Sequence, residues 1–235
     1  MQDKDRHIAS AFDRDLETIQ AQIMKMGGLV EAAIMEAAHS LETRDEELAE
    51  KVQKGDKAID ALEDTINEES ARLIALRAPT AVDLRLVLSV LKISGNLERI
   101  GDYAKNMAKR TRVLNQMAAV DESVPALRRM AREVELMLKD ALDAYIQRDA
   151  ELATDVIERD REVDQMYNAL FRELLTFMLE DARSITPSMH LHFIAKNIER
   201  MGDHVTAIAE QVIYLTTGER PDDLRPKADK TSTNI

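Results

Sequence analysis

Apolar residues recur three and four positions apart along almost the whole chain, with charged residues between them. That period is the mark of an amphipathic helix. Met26, Val30, Ile34, Ala37 and Leu41 form one stripe. Leu48, Val52, Ile59, Leu62 and Ile66 form a second, and Leu84, Leu88, Leu91 and Leu97 a third. The spacing returns at Met130, Val134, Leu138, Ala141 and Tyr145, then at Val156, Val163, Met166, Leu170 and Leu174, and last at Val205, Ile208, Val212 and Leu215. Breaks between the stripes carry helix-start chemistry. Asp45 and Asp149 stand as N-caps before acidic first turns, Thr80 precedes Asp83 at a capping-box spacing, Ser123 comes just before Pro125, and Thr186 precedes an N1 proline, Pro187. The pattern predicts an all-α chain of six long helices, over 7–42, 45–77, 80–117, 124–147, 149–180 and 187–217.

The two halves of that pattern match. "RDEELA" at 44–49 returns as "RDAELA" at 148–153, and "GDKAID" at 55–60 as "RDREVD" at 159–164, both 104 positions on. The Met26–Leu41 stripe maps onto Met130–Tyr145 at the same offset, while "NLERIGD" at 96–102 returns as "NIERMGD" at 197–203, 101 positions on. Matches in one order at nearly one offset mean an internal duplication: two tandem, pseudo-symmetric three-helix units. The expected division is 1–120 for the first bundle, 121–217 for the second, and a polar, disordered tail over 218–235.

Each half repeats two pairs of carboxylates. Asp56 and Asp60, and Glu98 and Asp102, are four apart, so each pair stacks on one helix face and repels itself. Folding the second helix back on the third near Pro79 puts Asp56 level with Asp102 and Asp60 level with Glu98. A turn near 181–182 does the same for Asp160 with Asp203 and for Asp164 with Glu199. The sequence sets the height of these acids but not the rotation of their helices. Converging carboxylates call for cations, and an all-oxygen set suits hard ions such as Mg, Mn, Ca or iron. Gly101 and Gly202 each lie inside a heptapeptide where glycine weakens a helix by about 1 kcal/mol relative to alanine. A missing side chain there admits a neighbouring helix or a metal cluster. The bland alternative is a solvated acidic face.

Composition narrows the picture. The 235 residues carry 44 acids against 32 basic residues, a formal charge of −12, with 3% aromatics and no cysteine. Such a chain is a poor nucleic-acid binder and has no thiolate or disulfide chemistry. No apolar run reaches the length of a membrane span, and the N-terminus lacks the core of a signal peptide, so a soluble, cytoplasmic protein without membrane insertion is expected. Of the five histidines (His7, His39, His190, His192 and His204) one alone has a glutamate three positions before it, Glu36 before His39, which argues against a ferritin-like di-iron site. His204 is expected at the surface or behind a site. Gly27–Gly28 is expected to serve packing or a kink, since no strand precedes it and no Lys-Ser/Thr follows.

The duplicated "NLERIGDYAKNMAKR" and "NIERMGDHVTAIAEQ", with "GDKAID" and "RDREVD" upstream, resemble the PhoU family of phosphate-signalling regulators. "MKMGGLVE", "PTAVDLRLVLSVLKI" and "FMLEDARSI" are similar too, so the resemblance spans about residues 8–217. It implies two tandem three-helix bundles and a multinuclear iron or zinc cluster, with Mn or Mg as alternatives, at Asp56, Asp60, Glu98 and Asp102 and at Asp160, Asp164, Glu199 and Asp203. It also implies a non-enzymatic, dimeric negative regulator of phosphate uptake and of the starvation response. The implied partners are the phosphate ABC transporter ATPase, PstB, and the sensor histidine kinase PhoR. The rival expectations are a metal-dependent phosphate-ester hydrolase, which needs an open coordination position, and a purely structural bundle without metal.

Overall fold

The computed structural model describes the backbone of residues 2–117 and 121–221 and the side chains of 12–117 and 122–221. The tail expected over 218–235 therefore lies, beyond residue 221, outside the described residues, as does the side chain of His7. Among the described residues, six α-helices make the fold: α1 (Gln2–Thr43), α2 (Glu46–Arg77), α3 (Ala81–Leu114), α4 (Val124–Gln147), α5 (Ala150–Glu180) and α6 (Ile185–Thr217).

Helix ends follow local chemistry, with three departures from expectation. Asp45 and Asp149 cap α2 and α5 by accepting from Leu48 N–H, and from Glu151 and Leu152 N–H. Thr80 occupies the cap of α3, but its hydroxyl donates to Asp83 Oδ2 at 2.9 Å instead of capping a backbone amide. Ser123 precedes α4 and donates to Glu173 Oε1 at 2.7 Å, tying the start of α4 to α5. The α5–α6 connection is a short 3-10 turn, Ala182–Ser184, so α6 begins at Ile185 with Ser184 at its cap, not Thr186. Ser184 hydroxyl donates back to the Phe177 and Asp181 carbonyls, which closes this hairpin tightly. The repeat offset shifts from 104 to 101 across this hairpin because its helix arms are shorter: α6 starts at Ile185, fourteen positions before Glu199, whereas α3 starts at Ala81, seventeen before Glu98.

Helices α1–α3 pack on one another, as do α4–α6, giving two tandem three-helix bundles. The bundles meet along two antiparallel seams. Between α3 and α6, Arg85 meets Tyr214, Asn96 meets His204, and Arg110 meets His190. Between α1 and α4, Gly27 meets Leu142 and Glu42 meets Arg128. Because equivalent helices run antiparallel, the two halves are related by a near-twofold axis across both seams. The core continues through them, from Ile23, Met26 and Ile34 to Met130, Val134 and Leu138, all fully buried.

One stripe is placed differently from its expectation. Over residues 84–100 the buried apolar residues of α3 are Val87, Val90, Ile93, Leu97 and Ile100; Leu97 of the expected stripe is buried, whereas Leu88 is 46% exposed and Leu84 and Leu91 are half-buried. "LRLVLSVLKI" carries apolar residues on several faces, and the fully buried face takes the β-branched ones.

Candidate functional site

In the first half, Asp56 on α2 and Asp102 on α3 lie close enough to share one lysine, at the level that their register sets. Gly101 sits directly against α2: a Cβ there would lie 3.0 Å from Ile59 Cδ1 and 3.8 Å from Asp56 Oδ1. The missing side chain thus admits the neighbouring helix. Asp56 is 5% exposed, and its Oδ1 is buried with no hydrogen-bond partner. Its other oxygen, Oδ2, accepts from Lys105 Nζ, which also donates to Asp102 Oδ1 at 2.8 Å. Glu98 stands one turn before Asp102, whose charge acts on it, and Glu98 Oε2 lies 3.5 Å from the exposed Arg99. A string of groups, Asp56–Lys105–Asp102–Glu98, therefore crosses from α2 to α3.

Electrostatics in this string follow from burial and crowding. Burial, then the charge of Asp102, pushes Glu98 up to about 7. Burial, then the charge of Asp56, raises Asp60. Burial would raise Asp102 as well, but the hydrogen bond and charge of Lys105 outweigh it and hold the carboxyl below its ordinary range. Lys105 is held above its ordinary value: burial opposes this, and bonds to Asp102 and Asp56 override it.

The second half repeats the register with different neighbours. A Cβ on Gly202 would lie 2.9 Å from Asp160 Oδ1 and 3.6 Å from Val163 Cγ1, so α5 approaches α6 as α2 approaches α3. Asp164 and Glu199 are buried, at 9% and 7% exposure. Glu199 Oε1 accepts from Lys196 Nζ at 2.8 Å, while its Oε2 is buried without a partner. Burial raises Glu199; Lys196 pulls it back, and Asp203 and Asp164 add to the rise. Lys196 also lies over the ring of Tyr167, 5.1 Å from its centroid.

The donor chemistry of both clusters fits a hard cation: all ligand atoms are carboxylate oxygens, and Asp56 and Glu199 each bury one that nothing satisfies, an unfavourable state a cation would relieve. The present grouping is not a finished metal site. Among the described residues, no three His, Asp or Glu side chains are placed to hold a metal ion. In the first cluster an ammonium already bridges two of the four acids.

The histidines fall elsewhere. His39 lies 3.6 Å from Glu42, and the Glu36 before it pairs with Lys51 at 2.5 Å, so the one Glu-x-x-His spacing makes no shared site. His190 faces Arg110, and His192 packs among Tyr167, Phe171 and Phe193. His204 is half-buried, and its Nδ1 is 2.8 Å from Asn96 Oδ1 across the α3–α6 seam. Gly27 serves packing, since a Cβ there would collide with Leu142, whereas Gly28 faces open space. A cavity of about 190 Å³ opens between α1 and α2 near Ile19, Arg72 and Leu76, away from all eight acids. No helix among the described residues is long and apolar enough to cross a membrane.

Lys105 and Lys196 are the residues that sequence reading missed. Each lies three positions from a cluster acid, Lys105 after Asp102 and Lys196 before Glu199, a spacing that shares a helix face. That signal was present in the sequence, but an isolated helical lysine is usually solvated.

Comparison with known proteins agrees with this architecture. The family model described as the PhoU domain matches residues 23–111 and again 127–212. The phosphate-specific transport system accessory protein PhoU homolog of Rhizobium meliloti (strain 1021) is 44% identical over 97% of this chain and 96% of its own length. The homolog of the same name from Zymomonas mobilis is 48% identical over 91% of this chain and 90% of its own. The crystal structure of PhoU from Pseudomonas aeruginosa superposes with a TM-score of 0.86 at 38% identity, covering 88% of this chain and 100% of that one. That of the phosphate transport system regulatory protein PhoU from Streptococcus pneumoniae gives 0.81 at 32% identity, over 90% and 99%. Two matched domains, one on each acid-bearing bundle, and relatives similar over nearly the full length show that this chain belongs to the PhoU family.

Proposed function

We propose that this chain is a cytoplasmic negative regulator of phosphate uptake and of the phosphate starvation response. It works without catalysis, as a homodimeric adaptor between the transporter ATPase PstB and the sensor kinase PhoR. The observation that carries this reading is the similarity, over nearly the whole chain, to proteins named as phosphate-specific transport system accessory proteins. Long helices with exposed apolar residues, such as Leu88 on α3 and Phe193 on α6, suit the docking of partner helices or loops.

Cations at the two acid clusters complete the reading: iron or zinc, or else Mn or Mg. Asp56, Asp60, Glu98 and Asp102 would hold one, and Asp160, Asp164, Glu199 and Asp203 the other. A bound cation supplies charge neutralisation between paired helices. The residues themselves set the register, keep Asp56 and Glu199 dry, and bring α2 onto Gly101 and α5 onto Gly202. The buried, unsatisfied oxygens of Asp56 and Glu199 support this part.

The test is genetic and biochemical together. Deleting the gene in its own host should switch a phosphate-starvation reporter on in high phosphate. The intact chain should restore repression and co-purify PstB and the cytoplasmic part of PhoR. Normal repression without the chain would overturn the regulatory reading. Elemental mass spectrometry of untagged protein, against a variant with Asp56, Asp60, Glu98 and Asp102 changed to amides, tests the metal part. Stoichiometric metal that falls by about half in the variant supports it; no metal in either sinks it.

A further inference from the structure

We infer that Lys105 is the resident counter-cation of the first acid cluster and competes directly with a metal for it. This rests on the cation reading above. Lys105 Nζ donates to Asp56 on α2 and to Asp102 on α3, so one ammonium holds the place between helices that a bridging cation would take. The lysine is 24% exposed and Asp56 is 5% exposed, so this is an enclosed contact and not a surface pair.

The repeat shows that this lysine is a choice of the first half. The position equivalent to Lys105 in the second bundle is Thr206, whose buried hydroxyl donates to the Asp203 carbonyl at 2.8 Å. The second bundle's lysine, Lys196, instead stands at the position of Gly95 in the first and donates to Glu199. The two clusters therefore carry their internal cations at opposite ends. A metal entering the first must evict an ammonium that bridges two carboxylates, one of them buried. In the absence of metal the same ammonium keeps α2 and α3 together. Lys105 thereby sets the metal concentration at which the first cluster loads.

Mn²⁺ is the probe. Titration should show Lys105→Gln binding Mn²⁺ about tenfold or more tightly than wild type, at sites that Lys105→Gln/Glu98→Gln/Asp102→Asn lacks, because removing a unit charge a few ångströms from a cation has an effect of at least that size. Lys105→Arg, which keeps the charge, should titrate like wild type. A second measurement uses only the wild-type chain and does not depend on any variant folding. Brief acetylation followed by peptide mass spectrometry should label Lys105 several-fold more with Mn²⁺ than without, while Lys54, exposed and outside the cluster, is unchanged. If Mn²⁺ binds Lys105→Gln and wild type alike and leaves Lys105 labelling unmoved, the competition is refuted and the metal reading stands. If Mn²⁺ binds neither protein, the metal reading falls and takes this inference with it.

Discussion

Tyr103 and His204 occupy the same position of the two repeats and stack on each other, ring centroids 5.7 Å apart with planes tilted by 33°. Residues that are equivalent and also in contact mark where the near-twofold axis passes. The seam there is polar as well as aromatic. His204 Nδ1 meets Asn96, and Arg200 lies over Tyr103 at 6.0 Å. His204→Ala should lower stability by about 1–2 kcal/mol, from a lost ring contact and a lost hydrogen bond. In urea the midpoint should fall with an unchanged slope. Exchanging the pair, Tyr103→His with His204→Tyr, should recover part of the loss, since Asn197 stands where Asn96 does in the repeat. A double variant no better than the sum of the singles would show that the stack does not couple the bundles.

Adjacent glycines in α1 should respond to alanine with opposite signs. Gly28 faces open space, so Gly28→Ala keeps only the gain in helix propensity, about 0.5–1 kcal/mol. Gly27 is pressed against Leu142, which is 2% exposed and has little room to give. Overpacking at the α1–α4 seam should make Gly27→Ala destabilising by about 1–3 kcal/mol. Thermal melts of the two variants decide it, and two shifts of the same sign would contradict this packing.

Much of this was legible in the sequence because it depends on short periods and on antiparallel folding. Six helices follow from three-four spacing. The level of Asp56 with Asp102 follows from a hairpin near Pro79, and Lys105 bridging the two carboxylates is the direct expression of it. What stayed hidden depends on choices among helix faces. "LRLVLSVLKI" offers leucines and β-branched residues on different sides, so spacing alone selected Leu84, Leu88 and Leu91, where the fold buries Val87, Val90 and Ile93. The α3–α6 seam was equally out of reach, because an apolar stripe does not name its partner. The start of α6 moved from Pro187 to Ile185 because a 3-10 turn closed by the Ser184 hydroxyl took the residues before it.

Glu98 gives the metal-free protein a pH dependence of definite sign. Its folded value of about 7 stands above the ordinary 4.5, so between those two pH values the native chain keeps a proton that the unfolded chain has released. Stability therefore falls as pH rises through that window. Burial displaces Asp60 and Glu199 in the same direction, whereas Asp102, held low, contributes stability that is lost only in stronger acid. In the presence of a chelator, Glu98→Gln should match wild type near pH 4.5 and exceed it at pH 7.5. The margin should be on the order of 1 kcal/mol, allowing for solvent screening of a part-exposed group. Urea unfolding at several pH values reads the slope directly. Equal slopes in the two proteins would mean that Glu98 is ionised normally.

Where the repeats diverge, one residue shows what divergence does. Gly55 begins "GDKAID" and is exposed with nothing near it, while its equivalent, Arg159, begins "RDREVD" and ties α5 to α4. Arg159 donates through Nε and Nη2 to Glu133 Oε1 at 3.1 and 2.9 Å, and through Nη1 to Asp140 Oδ2 at 2.5 Å. With the guanidinium 22% exposed and Glu133 19%, these bonds are shielded enough to count. Arg159→Gly, which writes the first repeat into the second, should cost about 2–3 kcal/mol: about 1 from glycine within a helix and the rest from the ion pairs. Arg159→Lys should lose a smaller part, because an ammonium cannot span both acids as the guanidinium fork does. High salt should shrink the difference between wild type and Arg159→Lys while leaving the helix-propensity part of Arg159→Gly intact. A salt-independent loss of equal size in both variants would assign the role of Arg159 to the packing of its stem.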